Sequence, residues 1–190
     1  MRIVFLLLIS LFLIYGCKNA SHSDLIGNLK VASEFIDAFY SFNKDSLQSI
    51  LSQADETRQS ILFYQGWAEC GNYEIVDRPK CIVKNDSLIL CPVTVKDDLL
   101  GALQIDFYVT DTFHLTIVNQ QIRSVNTSSN DPVQYYQAKE WVKLNRPELI
   151  ELPCEGIWEK GTTPCECVQA MVRGFVEYAA SKDSESSNSF

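Results

Sequence analysis

The chain has 190 residues, of which 46% are hydrophobic and 21% are charged, and its formal net charge is −8 at pH 7. This length suits one domain with a substantial core. Because 24 Asp and Glu residues outnumber 16 Lys and Arg residues, the composition argues against a nucleic-acid partner, whose phosphates require a cationic surface.

The first residues have the pattern of an export signal. Arg2 precedes an apolar stretch from Ile3 to Tyr15, which is shorter than the roughly 20 residues that span a bilayer. The stretch ends in Ile14-Tyr15-Gly16-Cys17, which resembles the lipobox of bacterial lipoproteins. The resemblance implies that residues 1–16 are a signal peptide, that cleavage follows Gly16, and that Cys17 carries acyl chains that hold the protein on a membrane.

Two other interpretations of this segment stay open, namely an ordinary secretory signal with an incidental cysteine and an uncleaved anchor. Lys18 follows Cys17 in place of the aspartate that marks inner-membrane retention in Gram-negative lipoproteins. We therefore expect a lipid-anchored protein of the bacterial cell envelope, on the outer membrane and facing the periplasm or the surface. Residues 17–28 are mostly polar and are predicted to form a lipidated tether.

Three helices are predicted after the tether. Apolar residues recur at steps of three and four from Leu29 to Phe42, which is the spacing of one helix face. Asp45 is predicted to cap a second, short helix, and a third is predicted from Asp55 to about Glu69.

The pattern then changes to β-rich segments. They are Tyr73 to Val76, Lys80 to Lys84, Ser87 to Val95, Phe107 to Val118 and Gln121 to Asn126. The pairs Asn85-Asp86 and Asn119-Gln120 are typical of hairpin turns, and a short helical insertion is predicted from Asp97 to Leu103.

Helices are predicted again at the carboxyl end. Asn130-Asp131-Pro132 supplies a cap and a proline for the first turn of one helix, and a last helix is predicted from about Glu166 to Ala180. Residues 130–181 are therefore expected to form a helical extension packed on the same domain. The Ser-rich residues 182–190 are expected to form a flexible tail.

Helices followed by antiparallel strands predict an α+β fold, with the helices packed on one face of a curved sheet. Over residues 29–129 the order resembles the nuclear transport factor 2-like superfamily, which includes SnoaL-like cyclases and ketosteroid isomerases. The first helix, from Val31 to Tyr40, and the hairpin from Asp111 to Val125 carry this resemblance. It implies a cone-shaped, cystatin-like domain. Uncharacterised envelope members resemble this chain further at Asn145 to Leu149 and Ala170 to Gly174, which implies a fold and no reaction.

The cysteine count is odd. If one of the seven, Cys17, carries lipid, six remain in an oxidising envelope, and six permit fifteen connectivities. Cys81 and Cys91 flank the turn at Asn85-Asp86. A three-residue loop places them opposite each other, which predicts a first disulfide between them, whereas a two-residue loop places them on opposite faces.

Cys154 and Cys167 bracket the loop before the last helix and are predicted to form a second disulfide. Cys70 and Cys165 then remain for each other. The competing hypothesis is a metal site at Cys154, Cys165 and Cys167, since Cys-Glu-Cys can chelate. Because these cysteines form no paired Cys-x-x-Cys motif and have no histidine near them in the sequence, we predict no metal and no cofactor.

Asp111 is the candidate catalytic residue. Strand alternation places it on the apolar face between Val109 and Phe113, and places His114 on the opposite, polar face. An ionised carboxylate there is costly without a partner. Either a loop, a helix end or a bulge satisfies it, or it faces a pocket where burial raises its pKa and suits it to general acid or base catalysis.

The candidate pocket residues are aromatic. They are Tyr40, Tyr64, Trp67 and Trp141. The first functional hypothesis is a membrane-anchored lipoprotein that binds a small apolar ligand in the cone, or an envelope protein through the pocket or the sheet face. The second is a SnoaL-like or ketosteroid-isomerase-like enzyme that uses Asp111, although the resemblance transfers no full catalytic set. The third is a homodimer formed through the sheet.

Overall fold

The computed structural model describes residues 22–157 and 165–187. Its helices are α1 His22–Tyr40, α2 Lys44–Ile50, α3 Arg58–Cys70, α4 Asp98–Ala102, α5 Val133–Asn145, α6 Pro147–Ile150 and α7 Cys165–Ser187. Its strands are β1 Glu74–Asp77, β2 Ile82–Val83, β3 Leu88–Lys96, β4 Val109–Val118 and β5 Gln121–Ser129. The predicted signal peptide and Cys17 lie outside the described residues.

The strands form one antiparallel sheet in the order β1-β3-β4-β5, and β2 pairs with β3 beside β1. Side chains of β3 and β4 alternate between buried and half-buried positions along most of each strand. The buried side chains face the helices, since they share one core cluster with residues of α1 to α5 and α7. The predicted α+β class is confirmed.

The core lies between the helices and this inner face of the sheet. Phe35 and Phe39 of α1 are fully buried and pack their rings against Phe113 of β4, with centroids 5.4 and 4.8 Å away. Val142 of α5 and Phe175 of α7 are also fully buried in the same cluster. The carboxyl-terminal helices therefore complete the core.

The β2–β3 hairpin has a three-residue loop. Ile82 pairs with Leu90, and the side-chain oxygen of Asn85 accepts hydrogen bonds from the backbone N–H groups of Ser87 and Leu88 at 3.0 and 2.8 Å. Asparagine thereby organises the loop through its own side chain. This register places residues 81 and 91 opposite each other, which settles the alternative that the sequence left open.

All three predicted disulfides are confirmed. They are Cys81–Cys91, Cys154–Cys167 and Cys70–Cys165, with Cα–Cα distances of 4.3, 4.7 and 5.0 Å. The cysteines that were considered as metal ligands are thus paired as disulfides. The longest link in sequence joins the end of α3 to the start of α7, 95 residues apart.

The β4–β5 turn and the start of α1 meet. Asn119 and Gln120 have positive φ values of 51° and 60°, as a two-residue hairpin turn requires. Asn28 is 3% exposed; its amide donates to the carbonyl of Ile117 at 3.4 Å, and its oxygen accepts from the Gln120 N–H at 3.0 Å. The prediction of a tether is therefore wrong for residues 22–28, because these residues belong to α1.

Two further expectations change at helix ends. The cap of α2 is Asn43, whose side chain accepts from the Ser46 N–H at 2.9 Å, and Asp45 lies inside the helix. The last helix runs to Ser187, so residues 182–187 are helical where a flexible tail was predicted. Residues 188–190 lie outside the described residues.

Within residues 22–157 and 165–187, no helix is both long enough and apolar enough to span a membrane.

The packing of α5 against α7 depends on a glycine. A Cβ at Gly174 would lie 2.5 Å from Cγ2 of the buried Val142, whereas a Cβ at Gly101 of α4 would meet no atom of the described residues within 4 Å. We expect Gly174→Ala to lower the free energy of unfolding by about 1 to 3 kcal/mol through overpacking.

Gly101→Ala is the matched control for this variant. It should leave stability unchanged or raise it by up to about 1 kcal/mol, because alanine favours helix. Urea unfolding of both variants measures the difference. Equal stabilities would contradict the close approach of α5 and α7.

Candidate functional site

Asp111 lies on the inner face of β4, as strand alternation predicts. Asp111 is 3% exposed and lies between the buried residues Val109 and Phe113. Its Oδ2 atom accepts no hydrogen bond from the described residues. Because an unpaired buried acceptor costs about 1 to 3 kcal/mol, the position of this atom is unusual for a residue that serves only the core.

Asp111 is one of the residues that line a cavity of about 330 Å³, which we call the Asp111 cavity. The described residues that line it are Tyr64, Trp67, Tyr73, Asp111, Thr127, Ser128, Ser129, Asp131, Tyr135 and Lys139. Hydroxyl, carboxyl and aromatic groups dominate this lining.

Several elements build the wall. Tyr64 and Trp67 are one turn apart on α3, and Tyr73 follows that helix directly. Ser129 ends β5 and pairs with Asp111 across the sheet. The helix α5 contributes Tyr135 and Lys139, one turn apart.

Burial raises the pKa of Asp111 to about 6. The hydroxyl groups of Tyr64 and Ser129 oppose this shift as hydrogen-bond donors, and the nearby charge of Asp131 adds to it. Asp97 contributes in the same direction and has its own pKa raised to about 6, also by burial. Asp111 is therefore mostly ionised above pH 6 and mostly protonated below it.

The tyrosines around Asp111 remain protonated at neutral pH. Burial is the largest cause that raises the pKa of Tyr64 and Tyr73, and the charge of Asp111 raises both further. The hydroxyl of Tyr64 donates to Asp111, and that of Tyr73 remains available as a hydrogen-bond donor. Together with Asp111 they supply a carboxyl group and neutral donors to one cavity, which is the composition that general acid or base chemistry uses.

Asp131 is held in place at the rim. Its two carboxylate oxygens accept hydrogen bonds from the hydroxyl groups of Ser129 and Tyr136, each at 3.0 Å. The sequence predicted Asp131 as part of a helix start, and the cap position of α5 is Pro132. Asp131 acts instead as a second, satisfied carboxylate of the cavity.

The predicted pocket residues divide into two groups. Tyr64 and Trp67 line the Asp111 cavity. Tyr40 lies behind it, packed at 6.3 Å against Phe113, and its buried hydroxyl has no partner among the described residues. Trp141 is not among the lining residues; its ring lies 5.9 Å from that of Tyr178 and beneath Arg146.

A larger groove, of about 490 Å³, lies between α1 and the segment before β2. Its arginine, Arg78, is already bonded to the carboxylate of Asp37 and to the carbonyl and hydroxyl of Ser33. No described residue with an unpaired buried polar atom lines this groove. We therefore take the Asp111 cavity as the candidate site.

Two further observations bear on metals and on His114. Within the described ranges, no group of three or more His, Cys, Asp or Glu side chains is arranged to hold a metal ion. His114 is half-buried on the outer face of the sheet, where its ring contacts the hydroxyl of Ser128 at 2.8 Å. It points away from Asp111, as the alternation of β4 predicts.

Sequence reasoning missed Tyr73, Tyr135, Asp131 and Lys139. The hairpin register contained a usable signal, because a two-residue turn at Asn119 and Gln120 places Asp111 beside the end of β5. The predicted strand stops at Asn126, three residues before Ser129. Comparisons of the chain with protein-family models, with curated proteins and with solved structures found no match.

Replacing Asp111 with asparagine should stabilise the protein above pH 6. A raised carboxyl pKa means that the native state binds more protons than the unfolded state between about pH 4 and pH 6, so stability falls as pH rises through that window. A rise of the Asp111 pKa from 3.8 to about 6 corresponds to about 2 to 3 kcal/mol in the free energy of unfolding. We expect Asp111→Asn to match the wild type at about pH 4 and to exceed it by about 2 kcal/mol at about pH 7.5.

Urea unfolding across this pH range measures the effect. The dependence of stability on pH that Asp97 contributes should persist in the variant, since the Asp97 carboxyl group is unchanged. The exposed Asp106→Asn is the control and should follow the wild type throughout. A stability difference between Asp111→Asn and wild type that does not vary with pH would contradict the assignment.

Proposed function

We propose that the protein is a lipoprotein of the bacterial envelope, anchored through Cys17, whose α+β domain binds a small polar ligand in the Asp111 cavity. The observation that carries the proposal is the unpaired Oδ2 atom of a 3% exposed carboxyl group at the cavity wall. A ligand that donates a hydrogen bond to this carboxyl group offsets part of the cost of burying it.

The size and chemistry of the cavity support a small polar ligand. Its volume of about 330 Å³ is near the lower end for small-molecule sites. Tyr73 supplies a neutral donor, and Asp111 supplies a carboxyl group with an unpaired oxygen. This lining favours a polar ligand over the apolar ligand that the sequence led us to expect.

A second candidate function is proton transfer by Asp111, in an enzyme of the SnoaL-like or ketosteroid-isomerase-like kind. The observation that favours it is a carboxyl pKa of about 6 next to a tyrosine donor, because an acid or base is most effective near the working pH. The order of helices and antiparallel strands is the support for a nuclear transport factor 2-like domain.

The outer face of the sheet is the alternative binding surface, for a partner protein or a second copy of the chain. It presents half-buried polar side chains of β4, among them Thr112, His114 and Thr116, beside half-buried apolar side chains of β3, among them Leu88 and Leu90. Stable interfaces usually have an apolar centre. Neither of the unpaired buried polar atoms of the described residues lies on this face, which makes it a weaker proposal than the Asp111 cavity.

The membrane anchor is tested by replacing Cys17. We expect Cys17→Ala to move the protein from the detergent-rich phase to the aqueous phase in a phase-partition experiment, because acylation of residue 17 is lost. Mass spectrometry of the purified native protein should find an amino-terminal acylated cysteine. An unmodified Cys17 in a cleaved chain, or an unchanged partition of the variant, would contradict the anchor.

Ligand binding is tested with a panel of small alcohols, amides, carboxylates and amines. Saturable changes in the backbone amide NMR signals of Tyr73, Ser128 and Ser129 are expected for at least one chemical class. Thr127→Trp should abolish them, since Thr127 lines the cavity and pairs with Phe113 on the inner face.

The matched control is Asn126→Trp, one residue away and facing the outer side of the sheet, because side chains alternate along a strand. It should leave binding intact. If no class of compound changes the cavity signals, or if the two tryptophan variants behave alike, the ligand-binding proposal is wrong.

A further inference from the structure

The carboxyl group of one wall residue of the Asp111 cavity, Asp111 itself, is incompletely hydrogen-bonded. Both carboxylate oxygens of Asp131 already accept hydrogen bonds, from the hydroxyl groups of Ser129 and Tyr136. Asp97, which acts electrostatically on Asp111, uses its Oδ1 atom to accept the N–H groups of Leu99 and Leu100. Oδ2 of Asp111 has no donor among the described residues. The missing partner of this cavity is therefore a hydrogen-bond donor.

The local charge is negative. Asp111 and Asp131 both line the cavity, and Asp97 acts on Asp111 from the side of α4. One cation, Lys139, is among the lining residues that the structure describes, and its side chain is exposed, where solvent screens its charge. The field at the carboxyl of Asp111 therefore favours a cation over an anion.

Aromatic rings provide the rest of the wall. The rings of Tyr64 and Tyr73 stand at 90° with centroids 6.5 Å apart, so they form a corner. Trp67 and Tyr135 add two more aromatic residues to the lining. Ring faces attract cations electrostatically, and walls built from several rings are a recurrent way to hold ammonium groups.

From these three features we propose that the Asp111 cavity binds a protonated amine, whose N–H groups donate to the carboxyl group of Asp111 and whose charge lies against the tyrosine corner. This inference rests on the proposed ligand-binding function and names its ligand class. A neutral apolar ligand leaves Oδ2 unpaired. An anion would be repelled by the carboxylates of Asp111 and Asp131, which both line the cavity. The lining residue that could balance its charge is Lys139.

Three probes of nearly equal size and different charge test this proposal, namely benzylamine, benzyl alcohol and sodium benzoate. Each is titrated into the protein at about pH 7.5, where benzylamine is protonated, and the amide NMR signals of Tyr73, Ser128 and Ser129 are followed. We expect saturable changes with benzylamine alone. Its affinity should fall as the pH is lowered through about 6, because Asp111 becomes protonated.

Two variants assign the effect to the proposed contacts. Asp111→Asn should weaken benzylamine binding by about 10- to 100-fold, since a hydrogen bond to a charged group is lost. Lys139→Gln should strengthen it by about two- to fivefold, since an exposed charge pair contributes little. Because Lys139 is exposed, its variant keeps the test valid even if Asp111→Asn alters the fold.

Each outcome decides the proposal. If benzyl alcohol or benzoate binds as tightly as benzylamine, or if Asp111→Asn retains full affinity with an unchanged amide spectrum, the amine assignment is overturned while the cavity remains a ligand site. Absence of any change with benzylamine overturns the assignment as well. Failure of the broader panel, with all chemical classes inactive, is what overturns the ligand-binding function itself.

Discussion

The burial of the Asp111 carboxyl group is the constraint on which the candidate site depends. The group occupies a position on β4 that its neighbours fill with apolar side chains, and it is 3% exposed. Desolvation alone would disfavour its charged form, and the charges of Asp97 and Asp131 add to that effect. The Tyr64 hydroxyl compensates in part. What remains is a buried oxygen without a hydrogen-bond donor among the described residues, in a residue that lines the cavity.

The disulfides bear directly on the wall of this cavity. The bond between Cys70 and Cys165 joins the end of α3 to the start of α7, and α3 carries Tyr64 and Trp67. The side chain of Gln169 donates to the Cys70 carbonyl at 2.9 Å and ties the same two helices together. A site whose wall is held this way loses little conformational entropy when a ligand binds.

Much of the fold could be predicted from the sequence, because local patterns determine it. Apolar periodicity predicted the helices and strands, Asn119 and Gln120 predicted the hairpin turn, and cysteine spacing led to the three disulfides. Strand parity alone placed Asp111 on the inner face. The errors lie where local signals are weak, as at residues 22–28, whose polar composition hides a helix that Asn28 anchors by tertiary hydrogen bonds.

The composition of the site was less predictable for a physical reason. Tyr73, Asp131 and Tyr135 come from three segments that only the tertiary packing brings to Asp111. Whether a buried carboxylate is satisfied depends on such distant donors, and no local pattern reports it. Trp141 is the opposite error, because it was predicted in the pocket and does not line it. An aromatic residue at helical spacing can equally pack against another helix, as Trp141 does against Tyr178 of α7.

The most direct measurement is an NMR titration of the Asp111 side-chain carboxyl carbon in the wild-type protein. A midpoint at about pH 6 is the predicted result, because a buried carboxyl group with one oxygen that lacks a hydrogen-bond donor resists ionisation. A midpoint at or below the ordinary value of 3.8 would contradict it. Such a value would mean that donors satisfy the carboxylate in the native protein, and the central reason for a ligand at this cavity would be lost.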